Sequence, residues 1–385
     1  MIKLTVHGLP QSIFAVMNKI KDAGHEAYLV GGCVRDRYMN IPPHDFDLTT
    51  SALPEEMLEI FAGERIIPTG LKHGTVTVLT EEGPVEVTTY RQDGTYSDHR
   101  HPDGVVFTRS LREDLARRDF TMNAMAIDAE GEWVDPFGGR ADIDAQIIRC
   151  VGEAERRFEE DALRILRGLR FAARLGFSLE KKTAEVMHRK KALLGAIAAE
   201  RIFAELSGLL EGKYAAEVLE EHSAILTAVL PELQTDDETL SILKALPMEP
   251  AFRLASLLRK EGLSVLDRLK VSNAFRRQVC LLVQERAAPI PTDRIGVRRR
   301  CAELGTDAFI ALCRYQQAEE ALRMAEQLRE EGACLSIAQL AVSGRDLMAL
   351  GLKGPALGDA LAQLLRLVIE EELPNEKEAL LSYIK

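Results

Sequence analysis

Two aspartates separated by one residue, Asp45 and Asp47, are well placed in this sequence to hold a divalent metal ion. Residues two apart on a strand point to the same face, so the two carboxylates would lie close together. Ionised carboxylates at that separation repel, and a bound cation removes the conflict. Oxygen ligands suit Mg²⁺, and paired ions of this kind assist phosphoryl transfer. A lone Asp-x-Asp is more often a solvated strand end, so the neighbouring residues must decide.

A glycine pair and an arginine precede the two aspartates in "GGCVRD…HDFD". Gly31 and Gly32 follow an apolar segment, and such a turn can bring backbone N–H groups close to a phosphate. Arg35 is near enough in the chain to contact the same phosphate. A tight turn explains the two glycines equally well. Neither the Walker phosphate-loop pattern nor Gly-x-Gly-x-x-Gly occurs, so those two kinds of nucleotide site are not supported.

Two later segments offer further charged side chains. Glu86, in the alternating segment "VEVTTYR", supplies a third carboxylate if its strand lies beside the first pair. Arg118, in "RRDFTMNAMAID", is a candidate contact for a triphosphate or a base. A capped turn leading into a strand accounts for this second segment equally well, so both interpretations stay open.

The segment "EEDALRILRGLRFAARLGF" predicts one strong helix with a charged face. Asp161 and Arg164 are three residues apart and would share that face, which Arg167 and Arg170 extend. Most stripes of this kind are solvated and salt-bridged. The sharper hypothesis is that the Asp and Arg hydrogen-bond the pairing edge of a base while the other arginines neutralise phosphates. The opposite side is predicted to be covered by Leu163, Leu166, Leu169 and Phe171.

The elements that must position these residues divide the chain into two regions. Up to about residue 150, helix and strand signals alternate, whereas later residues follow helical periodicity. Strands are predicted at 27–30, 46–49, 75–79 and 85–90, with a further hairpin turning at Glu130-Gly131. Helices are predicted at 11–23, 54–61, 200–211, 215–219, 252–258, 302–317, 318–331 and 356–371. The prediction is an α+β head, with a mixed β-sheet and helices, followed by an elongated all-α region.

Composition limits the class of protein. The 385 residues exceed one ordinary core, and no run of about 18 apolar residues predicts a membrane span. No secretion signal is visible, and the six cysteines form no Cys-x-x-Cys pair, which favours reduced thiols in a cytoplasm. The net charge of −11 argues against a protein that coats nucleic acid. A local basic groove is still possible because arginines cluster between residues 112 and 174.

Together these motifs resemble the class II tRNA nucleotidyltransferases, the bacterial CCA-adding enzymes of the polymerase-β-like nucleotidyltransferase superfamily. The matching segments are "GGCVRD…HDFD", "RRDFTMNAMA", "DPFGG" and "EEDALRILRGLRF", within residues 28–177. The helical remainder matches the family only in size and character. Tyr38-Met39-Asn40 and Gly168 depart from the family pattern, and we expect these departures to affect packing rather than chemistry.

The resemblance implies a division into four parts. Residues 1–150 would form the nucleotidyltransferase catalytic head, and residues 151–210 a helical neck with the nucleotide-selecting Asp-Arg helix. Residues 211–310 would form a helical body and residues 311–385 a helical, tRNA-binding tail. The helical parts would hold the acceptor stem and elbow of tRNA. Oligomeric state stays open between monomer and homodimer, and no membrane partner is implied.

The resemblance also implies a role for each residue of the site. Asp45 and Asp47 would be catalytic residues that bind Mg²⁺, with Glu86 a third catalytic carboxylate. Phosphate contacts would come from Gly32 and Arg35. Arg118 would contact the bound nucleotide. Selection of CTP and then ATP would fall to Asp161 and Arg164, supported by Glu160, Arg167 and Arg170.

The implied activity is addition of the 3′-terminal CCA to tRNA from CTP and ATP, with Mg²⁺ and without a nucleic-acid template. The tRNA 3′-hydroxyl would attack the α-phosphate and pyrophosphate would leave. Alternatives are a CC-adding or poly(A) polymerase relative, or a catalytically silent RNA-binding relative. The loop at Asp93–Ser110, which we interpret as complete, and the lack of a long basic tail favour CCA addition.

Overall fold

The computed structural model describes residues 10–43, 45–68, 70–93 and 105–384. The chain folds into two compact units, Met1–Leu240 and Ser241–Lys385. The α-helices of the first unit are α1 Gln11–Asp22, α2 Gly32–Tyr38, α3 Pro54–Ile60, α4 Leu111–Ala116, α5 Gly139–Asp144, α6 Ala154–Glu160, α7 Leu163–Leu175, α8 Lys181–Lys190, α9 Ala199–Leu210 and α10 Ala215–Leu226. Helix α11 spans Asp237–Ala245, at the boundary between the units.

The β-strands of the described residues all belong to the first unit. They are β1 Ala27–Val30, β2 Asp47–Thr50, β3 Ile66–Ile67, β4 Thr75–Thr80, β5 Gly83–Thr89, β6 Arg91–Asp93, β7 Val105–Phe107, β8 Ala126–Ile127, β9 Trp133–Val134, β10 Ile147–Ile148 and β11 Ser178–Leu179. The main sheet has the order β3-β4-β5-β2-β1-β8-β9. Strands β2 and β5 pair in parallel and the other pairs of this sheet are antiparallel. The sheet is therefore mixed, as predicted.

Register within this sheet brings two motifs side by side. Asp47 lies opposite Glu86 across the parallel β2–β5 pair, and opposite Val30 across the β1–β2 pair. Since Val30 immediately precedes the glycine turn, the turn and the first residue of β2 end at the same edge of the sheet. The strand order thus places the glycines and the carboxylates together although Asp45 lies 14 positions after Gly31 in the sequence.

The second unit consists of helices among its described residues. They are α12 Pro250–Leu257, α13 Val265–Arg268, α14 Asn273–Glu285, α15 Arg294–Leu304, α16 Thr306–Gln316, α17 Glu319–Glu330, α18 Gly344–Ala349, α19 Pro355–Ile369 and α20 Lys377–Ile384. One apolar cluster in this unit contains Leu347, Leu364, Val368 and Leu380. The α+β class predicted from the sequence is confirmed. None of the helices in the described ranges is long and apolar enough to cross a membrane.

Three local predictions need correction. Strand β2 begins at Asp47, so Asp45 precedes the strand and the pair does not lie on one strand face. The helix predicted at 302–317 is two helices, because Gly305 has φ +89° between α15 and α16. The helix predicted through Asp161 is also broken there, since Asp161 has the extended φ −141° and ψ 103° between α6 and α7.

Gly168 has a packing role within α7. A Cβ added at this position would lie 2.3 Å from Cε of Met187 and 3.0 Å from Cζ of Phe120. The absence of a side chain lets α7 approach these two residues closely. That contact accounts for a glycine in a helix interior, where it would otherwise cost about 1 kcal/mol relative to alanine.

Candidate active site

A polar cavity of about 680 Å³ in the first unit contains most of the predicted site residues. The predicted residues that line it are Gly32, Arg35, Asp45, Asp47, Arg118, Asp161, Arg164, Arg167 and Arg170. Other lining residues are Gly31, Asp36, Arg117, Asp119, Asn123, Leu163, Phe171, Arg174 and Arg201. Glu86 and Glu160 are not among the described residues that line it. The fold therefore brings together residues from α2, β2, α7, α9 and the segment after α4.

The carboxylates of Asp45, Asp47 and Glu86 concentrate negative charge at the edge of β2. Asp47 is accessible from the cavity, yet the surrounding protein removes part of its hydration. This desolvation, together with the charges of Asp45 and Glu86, raises the pKa of Asp47, while Arg118 opposes the shift. Among the described residues, neither Asp45 nor Asp47 forms a side-chain hydrogen bond or ion pair. Within the described part of the chain, a cation at this pair would therefore have no hydrogen-bonded or ion-paired protein group to displace.

Glycine at position 31 makes room for an arginine. Gly31 has φ +79°, and a Cβ there would lie 3.2 Å from Nη1 of Arg118 and 3.9 Å from Oδ2 of Asp47. Both the positive φ and the close guanidinium favour glycine at this position. The turn thus admits the cationic group of Arg118 to the neighbourhood of the carboxylates.

The buried carboxylate of Asp114 holds Arg117 and Arg118. Arg117 donates from Nε to Oδ1 over 3.0 Å, and Arg118 approaches Oδ2 at 3.4 Å. Asp114 also accepts from the backbone N–H of Arg91, where β6 begins. Despite its burial, which raises the pKa, the two arginines hold the pKa of Asp114 below its usual value. This carboxylate therefore fixes the segment that carries both cavity-lining arginines.

A continuous hydrogen-bonded chain joins α2 to α7. Arg35 donates to Oδ1 of Asn123 over 2.9 Å, and Asn123 donates to Oδ1 of Asp119 over 3.2 Å. Arg167 completes the chain by donating to Oδ2 of Asp119 over 2.8 Å. Burial raises the pKa of Asp119, but its partners, Arg167 first among them, outweigh this and hold the pKa low. The ionised Asp119 thus links α7 to α2 through Asn123.

Asp161 and Arg164 reach the cavity through a helix start rather than through one helix face. Oδ1 of Asp161 accepts from the backbone N–H of Leu163, and Oδ2 accepts from Nη2 of Arg201 over 2.9 Å. Arg164 donates to the backbone carbonyl of Arg117 over 3.0 Å. These bonds hold an acceptor and a donor in fixed positions at the cavity wall.

Glu160 lies behind this pair, in contact with Arg164. It accepts from Nη1 of Arg164 over 2.8 Å and also pairs with Arg156 and Arg157. A second cavity of about 450 Å³ contains Glu160, Arg156 and Arg157 in its lining. Glu160 is thus connected to the first cavity through Arg164, which lines that cavity.

Sequence reasoning missed several cavity residues. Arg117 adjoins a predicted residue within the "RRDF" motif, so its position was a usable signal. Arg201 comes from α9, and nothing in its local sequence indicates that it meets Asp161. Phe171 was predicted on the apolar side, but it lines the cavity beside Arg170, whose Cζ lies 4.7 Å from the ring centre.

Mg²⁺ fits the donor set at Asp45 and Asp47, although the described residues contain no cluster of three or more potential ligands. Two carboxylates that lack protein partners, one with its pKa raised by negative neighbours, form an environment that a cation would stabilise. Mg²⁺ commonly uses one or two carboxylates and takes its remaining ligands from water and substrate phosphates. The small number of protein ligands is therefore compatible with this ion.

Comparison with known proteins gives matches along nearly the whole chain. Residues 27–149 match the family described as "Poly A polymerase head domain". Residues 176–236 match the family described as "Probable RNA and SrmB- binding site of polymerase A", and residues 251–384 match the family described as "tRNA nucleotidyltransferase domain 2 putative". The CCA-adding enzyme of Enterococcus faecalis is 37% identical over 96% of this chain and 94% of its own length. The chain belongs to the CCA-adding enzyme family.

Other relatives of this family agree in sequence and in structure. The CCA-adding enzyme of Geobacillus stearothermophilus is 38% identical over 97% of this chain and 96% of its own length. A solved structure of the Bacillus stearothermophilus CCA-adding enzyme in complex with CTP has a TM-score of 0.82 and 34% identity, with 97% and 96% of the two chains covered. The family resemblance predicted from the motifs is confirmed.

A more distant neighbour extends the comparison to a tRNA complex. This solved tRNA nucleotidyltransferase is complexed with a primer tRNA and an incoming ATP analogue. Its TM-score is 0.66 at 25% identity, over 83% of this chain and 99% of its own. The cavity described above, lined by two aspartates and several arginines, is therefore the candidate nucleotide site.

Proposed function

We propose that this chain adds the 3′-terminal CCA to tRNA from CTP and ATP without a nucleic-acid template. The observation that carries the proposal is the single cavity in which Asp45 and Asp47 lie with Asp161 and Arg164. The two aspartates can hold the metal ion that phosphoryl transfer from any nucleotide requires. The Asp161–Arg164 pair can distinguish one base edge from another. Relatives named CCA-adding enzymes, matched over nearly their full length, support the same activity.

Asp45 and Asp47 would hold Mg²⁺, with Glu86 contributing charge from the paired strand β5 rather than direct contact with the cavity. Bound Mg²⁺ supplies stabilisation of negative charge on the reacting phosphate. Gly32 and Arg35 would contact the phosphates, as would Arg167 and Arg170. The three arginines would thereby balance part of the triphosphate charge.

Arg118 would contact the bound nucleotide at the turn where Gly31 admits its guanidinium. Asp161 would accept from, and Arg164 donate to, the pairing edge of cytosine and then of adenine. The hydrogen bonds to Leu163, Arg201 and Arg117 would keep these groups fixed while the base is chosen. The tRNA 3′-hydroxyl would attack the α-phosphate, and pyrophosphate would leave.

The division into head 1–150, neck 151–210, body 211–310 and tail 311–385 remains a prediction, as do the contacts of the helical parts with the acceptor stem and elbow. The structure has two compact units whose boundary in the chain lies between Leu240 and Ser241, and this division does not test the limits of the four predicted parts. Action in the cytoplasm, and a monomeric or homodimeric state, likewise belong to the proposal. Residues 94–104 of the predicted loop lie outside the described residues.

The decisive experiment uses tRNA that lacks its last three nucleotides. The protein is incubated with this tRNA and Mg²⁺, with CTP alone, ATP alone and both, and the products are resolved to single nucleotides. We expect two additions with CTP alone, three with both nucleotides and then arrest. Unlimited addition of A would favour a poly(A) polymerase, two additions with both nucleotides a CC-adding enzyme, and no extension a silent RNA-binding relative.

A further inference from the structure

Three arginine side chains surround one aromatic ring at the nucleotide cavity. The Cζ atoms of Arg35, Arg167 and Arg170 lie 5.2, 5.6 and 4.7 Å from the ring centre of Phe171. Arg35 comes from α2, whereas the other two come from α7. Phe171 is 7% exposed and lines the cavity, so it meets the arginines where they face the substrate space.

Three guanidinium groups this close together repel one another, so the cluster needs other interactions to stabilise it. Carboxylates do part of this, since Asp36, Asp119 and Glu205 accept from Nε of Arg35, Arg167 and Arg170, respectively. An aromatic ring attracts a guanidinium within about 6 Å through its negative face. That attraction does not consume the N–H donors of the guanidinium, which carboxylate partners do. A ring can therefore gather arginines and leave donors for a phosphate.

The ring itself is held in place from behind. Phe120 meets Phe171 edge-on with ring centres 5.9 Å apart, and Phe120 is fully buried. Gly208 of α9 also makes room for the cluster, because a Cβ there would lie 2.5 Å from Cδ of Arg170. The orientation of the ring and the path of one arginine are thus both fixed by packing.

We propose that Phe171 is a positioning residue for the polyphosphate of the nucleotide, acting by holding Arg35, Arg167 and Arg170 in one cluster. The inference rests on the proposed function for the identity of the ligand. CTP and ATP share the triphosphate and differ in the base, so Phe171 sets the affinity for both equally. The choice between them stays with Asp161 and Arg164.

The test replaces Phe171 by phenylalanines that carry one, two and three ring fluorines, which weaken the negative face with little change of shape. Binding of CTP, ATP and pyrophosphate to the full-length protein is measured by calorimetry with Mg²⁺ present. The dissociation constants should rise stepwise and in parallel, to about tenfold overall, as the cation–π attraction is lost. Phe171→Leu should cause a similar loss and Phe171→Tyr should retain affinity.

Phe252 offers a matched control in the second unit. It is fully buried, and Cζ of Arg314 lies 5.3 Å from its ring centre. The same fluorinated series at Phe252 should leave all three dissociation constants unchanged. Binding is measured without catalysis. If the protein failed to extend tRNA, the proposed function would be rejected, but the binding measurements would still decide the role of Phe171.

Two outcomes would overturn the inference. Unchanged dissociation constants across the fluorinated series would mean that Phe171 serves only as packing, even if Phe171→Leu weakened binding. A shift for CTP or ATP alone would place Phe171 in base selection instead of polyphosphate binding.

Discussion

At the scale of single residues, the positive and negative side chains of the cavity differ in their partners. The arginines are anchored by buried carboxylates such as Asp114 and Asp119, whose pKa values are held low. Asp47 has the opposite setting, with its pKa raised by desolvation and by Asp45 and Glu86. The cavity is thus built so that added positive charge is favourable at one end and added negative charge at the other.

Replacing Asp47 by alanine tests the metal-binding end. We expect Asp47→Ala to reduce incorporation of both CMP and AMP by more than about a hundredfold, since loss of a residue that merely supports a metal ligand costs about 10- to 100-fold. Affinity for tRNA should be retained, as measured by gel shift. Asp142→Asn is a suitable control, because Asp142 is buried against Arg149 and Thr121 but is not among the cavity-lining residues. Normal extension by Asp47→Ala would exclude the proposed metal role.

Replacing Arg164 by alanine tests the selective end. Hydrogen bonds to charged groups contribute about 1.5–3 kcal/mol, so we expect Arg164→Ala to reduce the preference for the correct nucleotide by about tenfold or more. The measurement is kcat/KM for CTP and ATP at each position of addition. Arg164 also forms an ion pair with Glu160, so thermal unfolding must be followed in parallel. Arg149→Ala is the control, because it removes an arginine that is likewise paired with a carboxylate, that of Asp142. An unchanged nucleotide preference would refute the selecting role.

At the scale of elements, the break between α6 and α7 determines how Asp161 is presented to the cavity. Had the helix continued through Asp161, that side chain would have lain along the helix surface. Instead the extended backbone at Asp161 turns its carboxylate to the N–H of Leu163 and to Arg201. A helix start can use such a carboxylate as a cap, which offsets the loss of helical continuity.

Helix α10 is kinked at His222, which contacts His188 of α8. His222, at non-helical φ −125° and ψ 16°, is buried, and its Nδ1 lies 3.2 Å from Nε2 of His188. Burial lowers the pKa of His222, Glu221 opposes this, and His188 adds to it. The unfolded chain therefore binds the proton more readily, so the free energy of unfolding should fall as pH falls below about 6.5.

The measurement is the free energy of unfolding in urea between about pH 5 and pH 8, the range in which histidine changes charge. His222→Gln should lose less stability than the unmodified chain as the solution is acidified. His73→Gln, at an exposed histidine, should keep the original slope. An identical slope in His222→Gln would show that this contact does not control acid stability.

At the scale of the whole molecule, the burial of the cysteine thiols provides a simple test of whether the protein is folded. Cys33, Cys150, Cys301, Cys313 and Cys334 are buried and Cys280 is only partly so. Burial raises the pKa to about 11 at Cys33 and Cys301 and to about 12 at Cys150 and Cys313. Each effect reduces the reactive thiolate fraction at neutral pH.

A thiol-reactive chromophore should therefore modify Cys280 first, with about one thiol reacting quickly in the native protein. All six cysteines should react after unfolding. The check is the stoichiometry and rate of colour release with and without denaturant, with Cys280→Ser as the control. Rapid reaction of several native thiols would contradict the burial described here.

The distribution of charge over the molecule explains why net charge was a poor guide. The chain carries −11 overall, yet a dense set of arginines lines one cavity. Six of these eight arginines lie between residues 112 and 174, where the sequence shows a cluster of basic residues, whereas Arg35 and Arg201 lie outside it. The sequence could not show which arginines line the cavity, because contacts between distant segments decide that.

The sequence by itself determined the α+β class, the family, and the motifs that hold most of the cavity residues. It could do so because glycine turns, alternating strands and helical periodicity are local properties of the chain. Asp45, Asp47 and Arg35 could be nominated for the same reason, since each lies in one short motif.

Only the tertiary structure decided how those motifs meet. The register of β2 with β5 sets Glu86 opposite Asp47 without putting it among the lining residues, and packing of α9 on α7 brings Arg201 to Asp161. Phe171 changed from an apolar covering residue to the centre of an arginine cluster because α2 approaches α7 there. Contacts between segments far apart in sequence depend on packing and strand order, and no local pattern records them.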